Sequence, residues 1–445
     1  MFSLKAPKGY PVGATTFLAP LPSPIRFGSV RIKGSEERGL PLEEVAFTAY
    51  YPAQIDSSSR RGLDWITRPL RLAVEGIARF LGFESSVMTW SILAPLVYLC
   101  GRLIKIPVYP NVPLLRPTKA SQTHWPLVIF SHGLGGSRTA YSQICSRIAA
   151  SGRVVLAIEH RDGTSPACQT RSWDAGQSIT KPILYIRQGD VSCDEEREEP
   201  FPLRADQLLI RRYEIYHTFK TFSCLLTGEP DHRLAIAGEN GKFRAEDWTE
   251  INGREITVRL ADVCLAGHSF GGCTVFSILS SKPPPGYPPL PCRHALIYDP
   301  WLDPFPTPGP IQEALPVECN PEQTNADLPR MLVINSEPFT LWKDHFHQLQ
   351  TAVRKWGRQA RLITLIRSVH YDFSDFSWLP FLRKKSKNVL LEHIEGLSIS
   401  FLDGTIEETL EQMQTRSFDV QVVGKKKDGR PKRQITGELG DIIIH

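Results

Sequence analysis

The stretch VCLAGHSFGGCTVF (residues 263–276) passes from an apolar run, through Gly-His-Ser-Phe-Gly, into a helix-like run. A Gly-x-Ser-x-Gly turn between a strand and a helix reverses the chain so sharply that side chains at its two glycine positions would clash. Gly267 and Gly271 occupy those positions, and His268 completes the elbow before Ser269. The helix N-terminus beneath the hydroxyl favours developing negative charge. The pattern therefore predicts Ser269 as a nucleophile rather than a small residue in a turn.

The surrounding chain predicts an α/β fold. From residue 126 onward, apolar strand candidates alternate with helix-like connections; the candidates are PLVIFSHG, RVVLAIEH, ITVRLADVCLAG, HALIYDP, RMLVINS and ARLITLIR. Such alternation favours a mainly parallel central sheet with helices on both faces. Upstream, EEVAFTAYYPAQ (43–54) predicts N-terminal antiparallel strands. Ligands in such sheets bind beyond the carboxyl ends of the strands.

Residues 1–404 are predicted to form a single catalytic domain. The polar, weakly periodic segments 163–205 and 228–256 are interpreted as loop insertions. After about Gly404 the apolar strand pattern ends, and VVGKKKDGRPKRQ (422–434) carries a run of cations. We expect 405–445 to be a disordered basic tail; a nuclear-localisation signal or a patch for an anionic surface is the alternative.

An apolar segment, 64–105, precedes the predicted sheet. Residues 64–83 place apolar side chains at helical spacing, which predicts one amphipathic helix. Residues 85–101 are uncharged and contain Pro95, which would interrupt an isolated helix. A buried or substrate-covering helix pair, an interfacial membrane contact and a short membrane span all fit this pattern. The basic residues Arg102 and Lys105 suit the interfacial case.

Composition narrows the class of protein. The chain has 445 residues, 41% hydrophobic and 22% charged, with a net charge of +5, as an ordinary globular protein does. Its dispersed cations give nucleic-acid binding little support. Nine cysteines without C-x-x-C pairs argue against a disulfide framework or a zinc site. The N-terminal MFSLKAPKGYPVGATTF lacks the apolar run of a secretory signal, so we expect a cytoplasmic protein. No nucleotide or zinc motif occurs, so no cofactor or metal is predicted.

A serine nucleophile needs a histidine base, and the histidine needs a carboxylate. In an α/β sheet of this kind the partners follow in the order serine, acid, histidine, each after a strand. Asp299 ends HALIYD and His370 follows RLITLIRSV, so both have the expected places. The competing acid, Asp303, lies farther from its strand in a proline-rich loop. The histidines of WKDHFHQLQ (342–350) fall inside a predicted helix.

Acyl transfer also needs backbone donors for the oxyanion. One candidate is the N–H of Phe270, directly after the serine. The other is the N–H of Leu134, in the glycine-rich SHGLGGSR (131–138), although a simple glycine turn without a ligand is the alternative. EHRD (159–162) ends a strand near the same edge, where ion pairing is a more ordinary role than direct catalysis.

Five motifs in order carry a family resemblance. PLVIFSHGLGGSRTAYS, GHSFGG, YDPWLDPFP, MLVINSEPF and ITLIRSVHYDFSDF resemble the plasma/type II branch of the platelet-activating factor acetylhydrolases, which are calcium-independent phospholipases A2. The resemblance runs from about Gly9 to Leu402. It implies an α/β-hydrolase fold, with nucleophile Ser269, acid Asp299 and base His370. It also implies oxyanion amides at Leu134 and Phe270.

The resemblance further implies hydrolysis of short or oxidised sn-2 acyl chains of phospholipids, with release of acetate from an alkyl-acetyl-glycerophosphocholine as the type reaction. Pro300 follows the acid where some members have a small residue, which affects the loop geometry more than the carboxylate. Members act at lipid surfaces through apolar helices, and residues 64–101 occupy that place here. A broad carboxylesterase or polyester hydrolase with the same triad, and a catalytically silent lipid-binding scaffold, are the alternatives.

Overall fold

The computed structural model describes residues 2–83, 85–117, 123–171, 173, 180–193, 200–228, 234–236, 248, 257–311, 328–379 and 387–445. The chain divides into two compact units. Unit 1 comprises Met1–Val263 and Pro283–Pro291, and unit 2 comprises Cys264–Lys282 and Cys292–His445. The expected single catalytic domain over 1–404 stays a prediction.

Unit 1 contains a mixed sheet. The strands of this unit are β1 (Phe2–Ser3), β2 (Val12–Ile32), β3 (Arg38–Pro52), β4 (Leu63–Asp64), β5 (Ile104–Ile106), β6 (Tyr109–Pro110), β7 (Trp125–Ser131), β8 (Val154–Ile158), β9 (Ala167–Arg171), β10 (Thr180–Leu184), β11 (Val191–Ser192) and β12 (Ala235–Ile236). Separately from the mixed sheet, β1, β5 and β4 form one small sheet, and β9 and β10 form another. The mixed sheet runs in the order β11-β2-β3-β8-β7. The long hairpin β2/β3 is antiparallel, as is β3/β8, whereas β7 and β8 are parallel. The predicted N-terminal antiparallel strands are therefore confirmed.

Among its described residues, unit 1 has the α-helices α1 (Leu70–Leu81), α2 (Ser86–Leu103), α3 (Ser142–Ala150) and α4 (Pro202–Thr227). In α2 the predicted interruption before Pro95 takes the form of a π-helical turn, Thr89–Leu93. A proline cannot donate to the helical ladder, and a wider turn accommodates that loss. One face of α2 packs on α1 through a small apolar cluster that includes Val74 and Val97.

The two predicted insertions differ in what the structure describes. Within 163–205, β9 and β10 form an antiparallel hairpin, and α4 begins at Pro202. This insertion is thus partly regular structure, because local strand pairing satisfies the backbone of an otherwise polar segment. Of 228–256, most lies outside the described residues; β12 within it pairs with β2.

Unit 2 holds the second group of strands. They are the end of β13 (Val258–His268, which begins in unit 1), β14 (Cys292–Tyr298), β15 (Arg330–Ser336), β16 (Ala360–Leu365), β17 (Val420–Lys425), β18 (Pro431–Ile435) and β19 (Ile442–Ile444). Its helices are α5 (Phe270–Leu279), α6 (Glu337–Thr340), α7 (Lys343–Arg354), α8 (Asn388–Asp403) and α9 (Ile406–Gln412). The strand order is β13-β14-β15-β16-β19. Both β14/β15 and β15/β16 are parallel.

The C-terminal region corrects one expectation. Residues 405–445 were expected to be disordered, but they form α9, the antiparallel hairpin β17/β18 and the edge strand β19, which pairs with β16. The apolar triplet Ile442–Ile444 explains the docking, because its first two side chains are buried. Asp428-Gly429 supplies the turn between β17 and β18. Parallel strands joined by helices, with a serine turn between β13 and α5, make this an α/β-hydrolase fold, as predicted.

Candidate active site

Ser269 lies in unit 2, at the sharp turn between β13 and α5. Its backbone angles are φ 56° and ψ −119°, a combination that is rare for a residue with a side chain. The turn is held by a hydrogen bond from the backbone N–H of Ser269 to the carbonyl of Tyr298, at 2.9 Å. The Ser269 side chain is 8% exposed. The elbow therefore presents a nearly buried hydroxyl at the end of a strand.

The turn leaves no room for a side chain at Gly267. A Cβ placed on Gly267 would lie 2.4 Å from the carbonyl oxygen of Gly271. The next glycine, Gly272, faces Pro300, whose Cβ would lie 2.9 Å from an added Cβ. Pro300 thus packs directly against the helix that follows the nucleophile.

His370 connects Ser269 to a buried acid. Its Nε2 lies 2.9 Å from Ser269 Oγ, and its Nδ1 lies 2.6 Å from Asp299 Oδ2. In this arrangement the serine hydroxyl donates to Nε2 and the Nδ1–H donates to the carboxylate, within the reach that proton transfer needs. The His370 side chain is 35% exposed, whereas Asp299 is fully buried. The structure therefore brings together the three residues that the sequence selects.

Asp299 is held by the end of the neighbouring strand. Ser336 donates to it twice, from its backbone N–H at 2.7 Å and from its hydroxyl at 2.6 Å. With its amide oriented to satisfy both its partners, Asn335 adds a third donor at 2.9 Å. Asp299 itself has a positive φ of 44°, a strained value for a non-glycine residue. These donors stabilise the carboxylate and fix the direction in which it meets His370.

Two aromatic rings flank the His370 imidazole. The ring of Phe339, on α6, stacks on it at 4.4 Å with an interplanar angle of 6°. The ring of His268 lies 4.5 Å away. Burial, and then the nearby His370, hold the pKa of His268 well below its usual value. His268 therefore remains a neutral ring beside the imidazole.

The turn that carries His370 is fixed by an ion pair. The backbone N–H of Val369 donates to Asp372 at 2.8 Å, and Lys387 contacts both oxygens of that carboxylate at 2.7 Å. The segment His370–Phe373 forms a short 3-10 helix around this anchor. Because Lys387 begins the chain toward α8, the position of the histidine depends on the C-terminal part of unit 2.

The competing residues have other partners. His345 is buried in α7 and its Nε2 accepts a hydrogen bond from the backbone of Leu302 at 3.1 Å. His347 lies on the exposed side of the same helix. Asp299, rather than Asp303, contacts His370.

A metal could in principle use part of this site. Among the described residues, ligand atoms of His268, Asp299 and His370 lie within 4.8 Å of one another. Both ring nitrogens of His370 are already hydrogen-bonded to Ser269 and Asp299. A metal would have to replace those contacts, which makes sensitivity to chelators a direct test.

The two oxyanion candidates lie in different units. Phe270 is the first residue of α5, in unit 2, and its side chain is fully buried. Leu134 lies in unit 1, in the loop after β7, and nothing in the described part of the chain accepts a hydrogen bond from its N–H. On each side of it the loop is anchored, through Gly133 N–H to Tyr141 and Gly135 N–H to Thr164. The role of both amides stays a prediction.

Buried charges hold the Leu134 loop within unit 1. Arg211 is fully buried and donates to Asp162 at 2.7 Å and to the carbonyl of His132 at 2.6 Å. Burial, followed by the charge of Arg211, lowers the pKa of His132 to about 3. Asp162 belongs to EHRD, and the expected structural ion pairing of that motif is what the contacts show.

Unit 1 also contains a second serine–histidine–carboxylate chain. His160 contacts Ser131 at 2.8 Å and Glu214 at 2.5 Å. Burial raises the pKa of Glu214 and lowers that of His160, so both groups favour their neutral forms. All three side chains are buried, so this chain anchors the end of β7 and offers no nucleophile to a substrate.

Sequence reasoning missed Ser336, Asn335 and Phe339. All three lie in NSEPF (335–339), at the end of β15 and in α6. One feature of the sequence could have indicated them: β15, like the strands before Asp299 and His370, ends at the edge of the sheet where ligands bind. That the end of β15 contacts Asp299 follows only from the parallel pairing of β14 with β15.

Comparison with known proteins shows which family this chain matches. Residues 34–387 match the model of the family described as platelet-activating factor acetylhydrolase, isoform II. A platelet-activating factor acetylhydrolase of Gallus gallus is 30% identical over 57% of this chain and 54% of its own length. One of Cavia porcellus is 27% identical over 79% of this chain and 70% of its own length. The chain thus spans about half of the Gallus gallus protein.

Among solved structures, a ferulic acid esterase from Streptomyces cinnamoneus is similar, with a TM-score of 0.49 and 14% identity over 91% of this chain and 92% of that one. The family model includes all three residues of the Ser269, Asp299 and His370 chain and ends before α8. On the extent of that match, this chain belongs to the family of platelet-activating factor acetylhydrolases, isoform II.

Proposed function

We propose that this chain is a serine-dependent, calcium-independent esterase that hydrolyses short or oxidised sn-2 acyl chains of phospholipids. The observation that carries the proposal is the hydrogen-bonded chain from Ser269 through His370 to Asp299. A serine so placed attacks an ester carbonyl while His370 Nε2 takes its proton. Asp299, fixed by Ser336, stabilises the resulting imidazolium.

The rest of the cycle uses the same groups. The N–H groups of Phe270 and Leu134 are the proposed donors to the tetrahedral oxyanion. His370 returns its proton to the departing alcohol, which leaves as a lysophospholipid, and an acyl-serine remains. Water then attacks the acyl group, with His370 again as the base, and releases the carboxylic acid and free Ser269. Every proton in this cycle passes through His370 Nε2.

The substrate class rests on the family. The matched family model and the relatives' names point to acetyl esters of phospholipids. The test is an sn-2 chain-length series of phosphatidylcholines, with and without a chelator. We expect turnover to fall as the chain lengthens and to ignore the chelator. A preference for long chains or a loss with chelator would contradict the proposal, and a preference for soluble esters would favour a broad carboxylesterase.

We also propose that α2 contacts a lipid surface. It is the one helix among the described residues long and apolar enough to cross a membrane by length and composition, with a mean hydropathy of 1.3, and a third of it is buried. Its outer face exposes large apolar side chains, among them Ile92 at 65% and Leu99 at 57%. Such a face, with the basic Arg102 in the last turn of the helix, suits a helix that lies in the membrane interface.

The matched variants are Ile92→Asp in α2 and, as the control, Leu209→Asp, which changes an exposed leucine of α4. Only the α2 variant should lose co-sedimentation with phosphatidylcholine vesicles. Equal binding by both would remove α2 from the lipid contact.

We further propose a cytoplasmic location with peripheral membrane association. Cys100 and Cys168, for example, are free thiols, as expected in a reducing compartment. Cell fractionation tests the location. Recovery of the protein from the secretory compartments would contradict it.

A further inference from the structure

The C-terminal hairpin β17/β18 forms one wall of a groove in unit 2. The groove has a volume of about 780 Å³. Its other wall comes from α6, the start of α7 and the residues directly before His370, namely Arg367, Ser368 and Val369. The match to the family model ends at residue 387, so the hairpin wall, 420–435, lies outside the matched residues.

The groove is strongly cationic. Its lining includes the cations Lys343, Arg367, Lys426, Arg430, Lys432 and Arg433, against a single carboxylate, Glu337. Glu337 forms an ion pair with Arg367, whose guanidinium lies 3.0 Å from the carboxylate. Arg430 pairs with Asp428. In the part of the chain that the structure describes, no carboxylate pairs with the other four cations.

The groove is a fixed feature rather than a loose arm. Arg367 donates to the carbonyl of Ile435 at 2.7 Å and to that of Gly437 at 2.9 Å. Glu337 accepts the backbone N–H of Ile435 at 2.9 Å. This Arg367–Glu337 pair therefore joins the hairpin to the segment that leads into His370, and the free cations are held around one opening.

The hairpin also exposes apolar side chains. Val422 is 65% exposed, Val423 43% and Val420 36%. Free phosphate or a nucleic-acid backbone would contact cations alone and leave these side chains in water. Clustered cations beside exposed apolar side chains match an anionic lipid surface, where the cations meet phosphates and the apolar groups enter the interface.

We propose that this groove binds the phosphate groups of anionic phospholipids at a membrane surface, with Lys432 and Arg433 as principal contacts. Both are exposed and lie on the strand that faces the opening. The site is distinct from the ester-cleaving chain, and binding does not depend on turnover. It would hold His370 and the segment before it at a membrane that carries negative charge.

The test is vesicle co-sedimentation of the full chain carrying Ser269→Ala, so that no substrate is consumed. Phosphatidylcholine vesicles with and without phosphatidylserine are compared for the unsubstituted groove and for Lys432→Ala with Arg433→Ala. Each basic side chain near an anionic surface contributes roughly fivefold to binding, so the double variant should lose roughly 25-fold in affinity for the anionic vesicles. Added salt should also weaken the binding of the chain with the unsubstituted groove to anionic vesicles.

The matched control is Lys8→Ala with Lys33→Ala, which removes two exposed lysines of unit 1. It should bind anionic vesicles as the unsubstituted groove does. If both double variants lost the same affinity for anionic vesicles, the loss would be explained by net charge alone, and the proposal would be overturned.

Two further arms identify the ligand. Inorganic phosphate and chloride are compared at the same ionic strength. We expect them to displace the chain from anionic vesicles to the same extent; stronger displacement by phosphate would mean that the groove binds free phosphate. A DNA duplex that binds through Lys432 and Arg433 while anionic vesicles do not would also overturn the proposal. Vesicle binding is measured in a chain without the nucleophile. A negative binding result would therefore overturn the groove proposal alone, because the labelling and turnover of Ser269 are measured separately in the unsubstituted chain.

Discussion

Gly267→Ala tests whether the elbow geometry sets the rate. The added Cβ would lie 2.4 Å from the carbonyl oxygen of Gly271 and 2.5 Å from its carbon, while ordinary contact begins at 3.4 Å. Both close atoms belong to the backbone, so no side chain can rotate away. The two arms of the turn must separate by about 1 Å, and Ser269 lies between them.

A displacement of that size has a known cost. Misplacing a reacting atom by about 1 Å lowers a rate on the order of 10²-fold. That loss corresponds to roughly 2.7 kcal/mol of transition-state stabilisation. Crowding of this kind also destabilises the fold by about 1–3 kcal/mol. We therefore expect kcat on a short ester to fall about a hundredfold in a protein that still folds.

The assay pairs kcat with a urea unfolding midpoint. Gly396→Ala is the control, because it places the same methyl group on α8, where nothing lies within 4 Å of it. Alanine is favoured over glycine inside a helix, so the control should keep full activity and gain a little stability. If folded Gly267→Ala turned over ester as fast as the unsubstituted chain, the steric account of the elbow would be refuted.

Three further predictions concern the groups around the site. Ser336→Ala removes a hydroxyl donor 2.6 Å from Asp299 and should lower kcat roughly tenfold with little change in KM, as steady-state kinetics would show; unchanged kcat would mean that the donor is dispensable. Burial lowers the pKa of His132 from 6.5 to about 3, so the unfolded chain binds this proton first as the pH drops between those values. The contribution of His132 to the free energy of unfolding should therefore fall by roughly 1 kcal/mol per pH unit in that range. His132→Asn should flatten that slope in urea titrations, and an unaltered slope would assign the effect elsewhere. Arg211→Met leaves the Asp162 carboxylate buried without its partner and should cost about 3–5 kcal/mol in urea unfolding, of which Asp162→Leu in the same chain restores part; a loss near zero would contradict the ion-pair account.

The candidate triad could be predicted because each member is marked by local pattern. Ser269 lies between two glycines after an apolar run, and Asp299 and His370 each follow a strand of their own. Strand and helix positions are likewise encoded in short windows of apolar periodicity. Chain order then limits which acid and which histidine can meet the serine.

The groups that support the triad could not be predicted in the same way. Ser336 meets Asp299 because β14 and β15 pair in parallel with Tyr298 opposite Ile334, and that register is a property of the sheet. Phe339 stacks on His370 across 31 residues of sequence, with no motif to connect them. Contacts of this kind depend on tertiary packing rather than on local spacing.

The C-terminal hairpin was missed for a different reason. Its turn signal, Asp428-Gly429, is present in the sequence, but the surrounding cations dominate the composition. The hairpin holds because Arg367 and Glu337 bind its backbone at Ile435. Charge runs are usually solvated, and this one is ordered by two partners distant in the chain.

The most direct measurement is covalent labelling by a fluorophosphonate, located by mass spectrometry of the digested protein. The account predicts one modified residue, Ser269, with labelling lost in Ser269→Ala and strongly slowed in His370→Gln, because the hydroxyl then lacks its base. Labelling that persisted in folded Ser269→Ala, or a rate unaffected by His370→Gln, would contradict the claim that this hydrogen-bonded chain makes Ser269 a nucleophile.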